Sequence, residues 1–229
     1  YIIEHLNKGK KSKFILQSIS KIFESHEIVN MNHILITDHI QKKIKKNFLY
    51  VDKYRWGIPS LIRCNSNKLF VFPYDSDFWR AMLYIEDTFS VDILEDKLMA
   101  YQIGIGLGKF HLFCSDLDFK KLVNNIKDFH NTSYYIDQFN MSLKHYNFKN
   151  LDYYVNKRVQ KLITSLSGHI GIVEFILRYI RGKSIDHSVI HGDPKLSNFL
   201  FDIKYKYVVS LIDLDTLSSG YLLTDLADC

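Results

Sequence analysis

The sequence contains few cysteines and no long apolar segment, and both absences restrict the class of protein. Cysteine occurs only as Cys64, Cys114 and Cys229 in a chain of 229 residues. Cysteines that are this scattered, and odd in number, predict reduced thiols in a cytoplasmic protein and argue against a disulfide framework or a zinc site. No apolar run approaches the length of a membrane span, so we expect no membrane partner.

The composition argues against disorder and against nucleic-acid binding. Hydrophobic residues make up 47% of the chain and aromatic residues 14%, which is too rich for a disordered protein. The net charge is only +5, and the densest basic run, residues 42–46, is typical of a solvated helix end. A chain of this length can bury one large core or form two lobes. We therefore expect a folded, soluble protein with no nucleic-acid partner.

The most informative segment reads VIHGDPKLSNFL, at residues 189–200, and it is followed by IDLD at residues 212–215. Asp193, then Asn198 five residues later, then Asp213 after an apolar stretch, is the spacing with which kinases arrange their catalytic groups. In that chemistry the first Asp accepts the proton of the attacking hydroxyl, while the Asn and the second Asp hold Mg²⁺ on the ATP phosphates. The spacing predicts a phosphotransferase that uses ATP and Mg²⁺.

The residues after Asn198 predict how Asp213 reaches it. Residues 199–201 and 207–212 have the apolar pattern of two short strands, and residues 202–206 have the composition of a turn. Such a hairpin returns the chain on itself, so that its two ends meet. We expect Asp213 to lie beside Asn198 and both to face one cavity.

A competing motif overlaps this segment. Residues 213–216 read DLDT, which resembles the strand-end D-x-D-x-T of haloacid-dehalogenase phosphatases, in which the first Asp is the nucleophile. Those enzymes require a Lys and further carboxylates well downstream, and only a short stretch follows Thr216 here. The phosphatase interpretation also leaves residues 191–198 without a role, whereas the kinase interpretation uses both segments.

The pattern along the chain predicts an α+β, protein-kinase-like fold with two lobes. We expect an N-terminal antiparallel sheet lobe at residues 1–86, which binds nucleotide, and a helical C-terminal lobe at residues 87–229. Strands are predicted at residues 1–6, 13–19, 61–62, 69–72 and 79–85, with turns at Asn7–Ser12, Asn65–Asn67 and Asp75–Asp77. Helices are predicted at residues 30–46, 93–113, 136–146 and 151–180, the last interrupted near Gly168. The hinge would be Ile85, Glu86, Asp87 and Thr88, whose backbone groups read adenine.

Both ends of the sequence have the pattern of elements that are cut. Residues 1–6 begin within a strand, and residues 225–229 open a helix that does not continue. In a kinase the glycine loop that covers the phosphates precedes the second strand, so we expect that loop upstream of Tyr1. We also expect the helical lobe to be incomplete at its C-terminal end.

Several segments resemble one branch of the small-molecule kinases. Four segments are similar, in sequence and in their order along the chain, to segments of N-acetylhexosamine 1-kinases. They are residues 14–19 (FILQSI), 78–85 (FWRAMLYI), 126–132 (IKDFHNT) and 191–198. These kinases belong to the superfamily of aminoglycoside phosphotransferases and choline kinases. The resemblance implies that ATP and Mg²⁺ are used to phosphorylate the anomeric hydroxyl of N-acetylglucosamine or N-acetylgalactosamine.

The resemblance also implies roles for individual residues. Asp193 would be the catalytic base, and Asn198 and Asp213 would bind magnesium. Lys195 lies between them in sequence, where its ammonium group can meet the transferred phosphate or simply be solvated. Supporting roles fall on His191, Asp215 and Asp225.

One departure from the usual kinase pattern concerns charge. Most kinases carry a phosphate-pairing Lys on the third strand, and the matching position here is Gln17. A glutamine can hydrogen-bond a phosphate but supplies no positive charge. The positive charge that Gln17 does not supply to the phosphates would have to come from another residue. Lys13, Lys21 and Lys195 are the candidates, and the sequence does not rank them.

Two further alternatives remain at this stage. Within the same class, the acceptor would be an aminoglycoside, choline or homoserine; from another class, the protein would bind nucleotide without catalysis. The run at residues 104–109 (GIGLGK) lacks the spacing of a phosphate loop and predicts close helix packing instead. Residues 129–132 (FHNT) are predicted to fix a loop rather than to touch a sugar.

Overall fold

The computed structural model describes residues 1–7, 10–46, 55–64, 70–146, 152–182 and 187–229. Contacts between Cα atoms divide the chain into two compact units, Tyr1–Lys127 together with His187–Cys229, and Asp128–Asp186. In chain order the elements are β1 (Ile2–Asn7), β2 (Lys10–Ser18), α1 (His26–Lys45), β3 (Leu61–Ile62), β4 (Val71–Tyr74), β5 (Asp77–Leu83), β6 (Thr88–Phe89), α2 (Lys97–Cys114), α3 (Thr132–His145), α4 (Tyr153–Gly182), β7 (Ser188–Ile190), β8 (Phe199–Asp202), β9 (Val208–Leu211), β10 (Ser218–Gly220) and α5 (Leu222–Asp228).

The N-terminal part of the first unit is an antiparallel sheet, as predicted. The strand order is β1-β2-β5-β3, and β4 also pairs with β5. The turn predicted at Asp75–Asp77 joins β4 to β5, and Asp75 adopts a positive φ of 56° there. Aspartate tolerates this conformation better than most residues. Of the turn predicted at Asn7–Ser12, Asn7 already belongs to β1 and residues 10–12 belong to β2, whereas residues 8–9 and the turn predicted at Asn65–Asn67 lie outside the described ranges.

The register of β2 against β5 places two polar residues opposite each other. Gln17 pairs with Arg80, and Ile15, two residues before Gln17, pairs with Met82. Because side chains alternate across a strand, Gln17 and Arg80 point to the same face as Ile15 and Met82. A polar pair, of which Arg80 is fully buried and Gln17 half-buried, is therefore set beside apolar residues on this face.

Helix α1 begins earlier than the apolar pattern predicted. Ser25 caps its N-terminus, since the Ser25 hydroxyl accepts a hydrogen bond from the backbone N–H of Ile28 at 3.3 Å. Val29, Ile36 and Ile40 form its buried face. The basic run falls in its last turn, as predicted, where positive charge stabilises the helix dipole. The run is not wholly solvated, however, because Lys43 is buried and pairs with Asp116.

The core of the first unit lies between α2 and the β8–β9 hairpin. Leu107 and Phe110 of α2 join Phe199 of β8 in one buried cluster. The run at residues 104–109 is helical, and a Cβ added at Gly106 would lie 2.5 Å from the side chain of Val208. Only glycine permits this approach of helix and strand, which confirms the packing role predicted for this run at Gly106.

The predicted β8–β9 hairpin is present and carries the second half of the motif. Phe199 pairs with Leu211, and Lys206 takes the positive φ of 60° that the turn requires. At the open end of the hairpin, the backbone N–H of Ile212 donates to the carbonyl of Asn198 at 2.9 Å. This hydrogen bond brings Asn198 next to Asp213.

The second unit consists of α3 and α4 in the part of it that the structure describes. Asn131 caps α3 by accepting from the backbone N–H of Tyr134 at 3.2 Å, and its own amide donates to Asp128. The loop-fixing role predicted for residues 129–132 is confirmed for Asn131. Helix α4 runs through Gly168 without a break, so the predicted interruption is wrong. One glycine costs a helix interior only about 1 kcal/mol, and α4 tolerates it.

No helix within the described ranges combines the length and the apolar character that crossing a bilayer requires.

Candidate active site

The loop that contains Asp193 is held from below by the carboxylate of Asp225. Its Oδ2 accepts from the backbone N–H of His191 at 2.7 Å, and its Oδ1 accepts from the backbone N–H of Gly192 at 2.8 Å. Burial raises the pKa of Asp225, but hydrogen bonds from His111, Gly192 and His191 outweigh it, so the pKa lies below its ordinary value. The fully buried carboxylate is ionised and fixes the backbone just before Asp193.

His191 links this loop to the end of the β8–β9 hairpin. Burial lowers its pKa, so the imidazole is neutral. Nε2 lies 2.9 Å from the carbonyl oxygen of Ile212, and Nδ1 accepts from the backbone N–H of Asp193 at 3.3 Å. Because Nδ1 accepts, Nε2 must carry the proton and donate to Ile212. His191 therefore positions the backbone on both sides of the site.

The side chain of Asp193 is accessible, and it contacts Lys195. The Lys195 ammonium lies 2.5 Å from Oδ2 of Asp193, and the Asp193 side chain is 37% exposed. This hydrogen bond raises the pKa of Lys195 above its ordinary value. The carbonyl of Asp193 accepts from the side-chain amide of Asn198 at 2.8 Å, which ties the two motif residues together. A carboxylate in this position can orient a hydroxyl group and take its proton.

Asp213 and Asn198 present oxygen atoms to the same cavity. Asp213 has a left-handed backbone conformation, with φ of 64°, which is uncommon outside glycine and occurs often at functional sites. Burial and the neighbouring carboxylate of Asp215 raise the pKa of Asp213. Since Nδ2 of Asn198 is bonded to Asp193, its Oδ1 is the atom left to coordinate a cation. A carboxylate and an amide oxygen are ligands that Mg²⁺ accepts.

Among the described residues, no group of three or more His, Cys, Asp or Glu side chains is arranged to hold a metal ion. Magnesium bound by nucleotide enzymes usually has one or two carboxylate ligands and completes its shell with phosphate oxygens and water. Asn198 and Asp213 fit that second kind of site, in which the nucleotide supplies part of the coordination.

The cavity has a volume of about 800 Å³, within the range of small-molecule sites. Asn198 and Asp213 lie on its wall together with Gln17 and Ile85. The remaining lining residues come from the N-terminal strands, the following segment and the hairpin: Tyr1, Ile2, Ile15, Leu16, Ser18, Pro59, Asp77, Trp79, Met82, Leu83, Tyr84, Thr88, Phe89, Ser90, Leu200 and Ile212. The cavity therefore joins the predicted nucleotide-binding strands to the predicted metal ligands.

Only part of the predicted hinge lines the cavity. Ile85 lines the cavity, whereas Glu86 and Asp87 are not among its lining residues. The carbonyl oxygens of both accept from the guanidinium of Arg55, at 2.8 and 3.0 Å. Of the proposed adenine-reading positions, the structure places only Ile85 and Thr88 on the cavity wall.

Sequence reasoning missed Arg80, the cation nearest to Gln17. Arg80 is fully buried, hydrogen-bonds Gln17, and forms an ion pair with Asp215. The sequence contained a signal for it, because Arg80 lies two residues from Met82 on a strand and so shares its inward face. The candidates Lys13 and Lys21 pair instead with Glu4 and Asp77, while Lys195 pairs with Asp193.

Comparison with known proteins identifies the family. The fold is similar to that of the amicoumacin kinase hAmiN, solved in complex with AMP-PNP, Ca²⁺ and Ami, with a TM-score of 0.55 and 13% identity over 100% of this chain. It is equally similar to an aminoglycoside phosphotransferase from Alicyclobacillus acidocaldarius subsp. acidocaldarius DSM 446, with a TM-score of 0.55 and 13% identity over 98% of this chain.

The chain spans less than two thirds of the length of these relatives, 59% of the first and 65% of the second. The likeness shows that the fold is that of kinases of this type, as predicted. Residues 115–229, which include every residue of the motif, match the sequence family described as the phosphotransferase enzyme family, APH. The chain therefore belongs to the APH phosphotransferase enzyme family.

Proposed function

We propose that the full-length protein transfers the terminal phosphoryl group of ATP to a hydroxyl group of a small molecule, in a reaction that requires a divalent cation. The observation that carries this proposal is the shared cavity of Gln17, Asn198 and Asp213, together with the hydrogen bond from the Asn198 amide to the carbonyl of Asp193. Membership of the phosphotransferase family supports it, and one solved relative is in complex with AMP-PNP and Ca²⁺. The phosphatase interpretation of residues 213–216 has no such support.

In this proposal Asp193 is the catalytic base. The acceptor oxygen forms a bond to the terminal phosphorus while the bond from that phosphorus to the bridging oxygen breaks, so that ADP leaves. The acceptor proton passes to the Asp193 carboxylate. Lys195, whose ammonium lies 2.5 Å from that carboxylate, would contact the phosphoryl group as it moves between nucleotide and acceptor. Positioning of this kind accounts for most of the catalysis in phosphoryl transfer.

Asn198 and Asp213 would hold Mg²⁺ on the nucleotide phosphates. The bound cation would neutralise the negative charge of the phosphates during transfer. Asp213 provides a full negative charge and Asn198 an amide oxygen, and the hydrogen bond between Ile212 and Asn198 fixes the distance between the two positions. The hydrophobic wall around Ile15, Met82 and Ile85 suits an adenine ring.

For the acceptor we propose the anomeric hydroxyl of an N-acetylhexosamine. The support is the resemblance of residues 14–19, 78–85 and 126–132 to the N-acetylhexosamine 1-kinases, which the kinase motif alone does not explain. An anomeric hydroxyl is more acidic than an ordinary alcohol, so Asp193 need take its proton only late in the reaction. The second candidate is an aminoglycoside, choline or homoserine, because one relative of similar fold is an aminoglycoside phosphotransferase.

The test is an acceptor panel on the full-length protein with ATP and Mg²⁺. ADP release would be measured with N-acetylglucosamine, N-acetylgalactosamine, their methyl glycosides, an aminoglycoside, choline and homoserine. We expect turnover with a free N-acetylhexosamine and none with its methyl glycoside, in which the anomeric oxygen is blocked. Equal turnover of the methyl glycoside would place the phosphate elsewhere on the ring.

Turnover of only an aminoglycoside, choline or homoserine would support the second candidate. If no acceptor stimulates ADP release although nucleotide binds, the protein is a nucleotide-binding protein without catalysis. Binding of neither nucleotide nor acceptor would contradict the proposed function altogether.

A further inference from the structure

Arg80 occupies an unusual position for a charged residue. It lies in the middle of β5, its side chain is fully buried, and all its hydrogen-bond partners that the structure records are side chains. Its Nη1 reaches Oδ1 of Asn30 on α1 at 3.4 Å, and its Nη2 forms the ion pair with Asp215. A buried charge without such partners would be strongly destabilising, so the pairing with Asp215 is required for Arg80 to remain in the core.

The contact between Arg80 and Gln17 fixes the direction of the glutamine amide. Nε and Nη2 of Arg80 lie 3.1 and 2.7 Å from a single atom of Gln17, assigned as Oε1. The orientation of a glutamine amide is usually ambiguous, because oxygen and nitrogen differ little in shape. Here the ambiguity is removed, since a guanidinium has only donors and the atom that it contacts must therefore be the acceptor oxygen.

The other end of the amide therefore points away from Arg80. Gln17 lies on the wall of the cavity that also contains Asn198 and Asp213. With Oε1 held by the guanidinium, Nε2 and its two hydrogens are the part of Gln17 that remains for a ligand. A phosphate oxygen is an acceptor that fits a donor in this position.

We propose that Arg80 is a positioning residue that orients Gln17 as a hydrogen-bond donor to a nucleotide phosphate. Arg80 itself reaches Gln17, Asn30 and Asp215 and is not among the residues that line the cavity. Gln17 occupies the strand position at which most kinases place a lysine. In this arrangement the Gln17 amide would touch the phosphate, and the positive charge of Arg80 would lie behind that amide. The inference rests on the proposed function, because it requires that the cavity binds a nucleotide.

The first test is Gln17→Glu in the full-length protein. Glutamate has nearly the same shape, and it keeps an oxygen for Arg80 and gains an ion pair with it, so the fold is retained. The carboxylate then presents an acceptor to the phosphate instead of a donor. Calorimetry should show that Mg²⁺-AMP-PNP binds at least tenfold more weakly, whereas adenosine, which has no phosphate, binds within twofold of wild type.

Lys120→Gln is the matched control, because it also makes the net charge more negative by one. Lys120 is exposed and is not among the residues that line the cavity. We expect the affinity of Lys120→Gln for AMP-PNP to stay within twofold of wild type. An equal loss in Lys120→Gln would mean that the effect is general charge repulsion, and the proposal would be wrong.

Arg80→Lys separates orientation from charge. The ammonium group keeps the positive charge and can pair with Asp215, but it lacks the planar fork that holds Oε1 with two N–H groups. We expect AMP-PNP to bind several-fold more weakly while adenosine binding is unchanged. Equal losses for AMP-PNP and adenosine, or no loss for AMP-PNP in either Gln17→Glu or Arg80→Lys, would overturn the proposal. If the wild-type protein binds neither ligand, the proposed function fails as well.

Discussion

The side chains of His111 on α2 and Asp225 on α5 meet beneath the loop that contains Asp193, with Nε2 of His111 2.7 Å from Oδ2 of Asp225. The same oxygen accepts from the backbone N–H of His191. A helix that packs against the β8–β9 hairpin and a helix after it thus meet at the carboxylate that holds the loop. The conformation of the loop depends on tertiary contacts as much as on its own sequence.

The role of Asp225 can be tested through stability. Asp225→Ala removes the acceptor of two buried backbone N–H groups and leaves His111 without its partner. A buried donor left without an acceptor costs about 1–3 kcal/mol, and two backbone N–H groups lose theirs, so we expect the free energy of unfolding in urea to fall by about 2–6 kcal/mol.

His111→Gln is the matched comparison for this experiment, because it removes only one of the three hydrogen bonds to Asp225. It should cost about 1–3 kcal/mol. If Asp225→Ala is no more destabilising than His111→Gln, the carboxylate does not hold the loop in the way described.

The free energy of unfolding should vary with pH because His33 binds a proton more readily in the unfolded protein than in the folded one. This side chain is buried in α1, and burial, together with the charge of Arg80, lowers its pKa to about 3, although its hydrogen bond to the carbonyl of Pro59 acts in the opposite direction. An unfolded histidine has a pKa of about 6.5. The stabilising contribution of the neutral form is therefore complete above pH 6.5 and is lost progressively as the pH falls towards 3.

For one histidine that titrates only when unfolded, the free energy of unfolding falls by about 1.4 kcal/mol per pH unit in this window. His191 is also buried with a lowered pKa and adds to the same slope. In His33→Gln the slope between pH 6 and pH 4 should be smaller by about one proton. An unchanged slope in urea titrations would show that His33 is protonated in the folded protein.

We expect the two proposed metal ligands to contribute unequally to Mg²⁺-dependent nucleotide binding. Asp213→Ala removes a full negative charge, whereas Asn198→Ala removes only an amide dipole, so Asp213→Ala should weaken Mg²⁺-dependent nucleotide binding more. Calorimetry with Mg²⁺-ATP measures both losses. Asp116→Asn, which changes an exposed carboxylate bonded to Lys43 and His39, is the control and should bind normally. The reverse order, or no loss in either variant, would mean that these residues do not hold the cation.

Much of the fold and motif geometry followed from local patterns in the sequence. The alternation of apolar residues predicted the β8–β9 hairpin, and the hairpin in turn predicted that Asn198 and Asp213 would be neighbours. These predictions worked because a short hairpin and a five-residue loop leave the chain few alternatives.

Other features depended on partners distant in sequence. Arg80 was missed because its role requires Gln17 from β2, Asn30 from α1 and Asp215 from beyond the hairpin. The break predicted at Gly168 did not occur, because the cost of one glycine is small compared with the hydrogen bonding of a helix that extends from Tyr153 to Gly182. The conformational preference of a single residue could predict neither the role of Arg80 nor the continuity of α4 at Gly168.

The turnover of Asp193→Asn in the full-length protein tests the central claim most directly. The amide keeps the size of the side chain and removes its capacity to accept a proton, while Asn198 and Asp213 remain to bind the nucleotide. At saturating ATP and acceptor, we predict that kcat falls by a factor of roughly 10² to 10⁴, the usual range for loss of a general base, with nucleotide affinity close to wild type. Turnover within a few fold of wild type would contradict the assignment of Asp193 and, with it, the proposed mechanism.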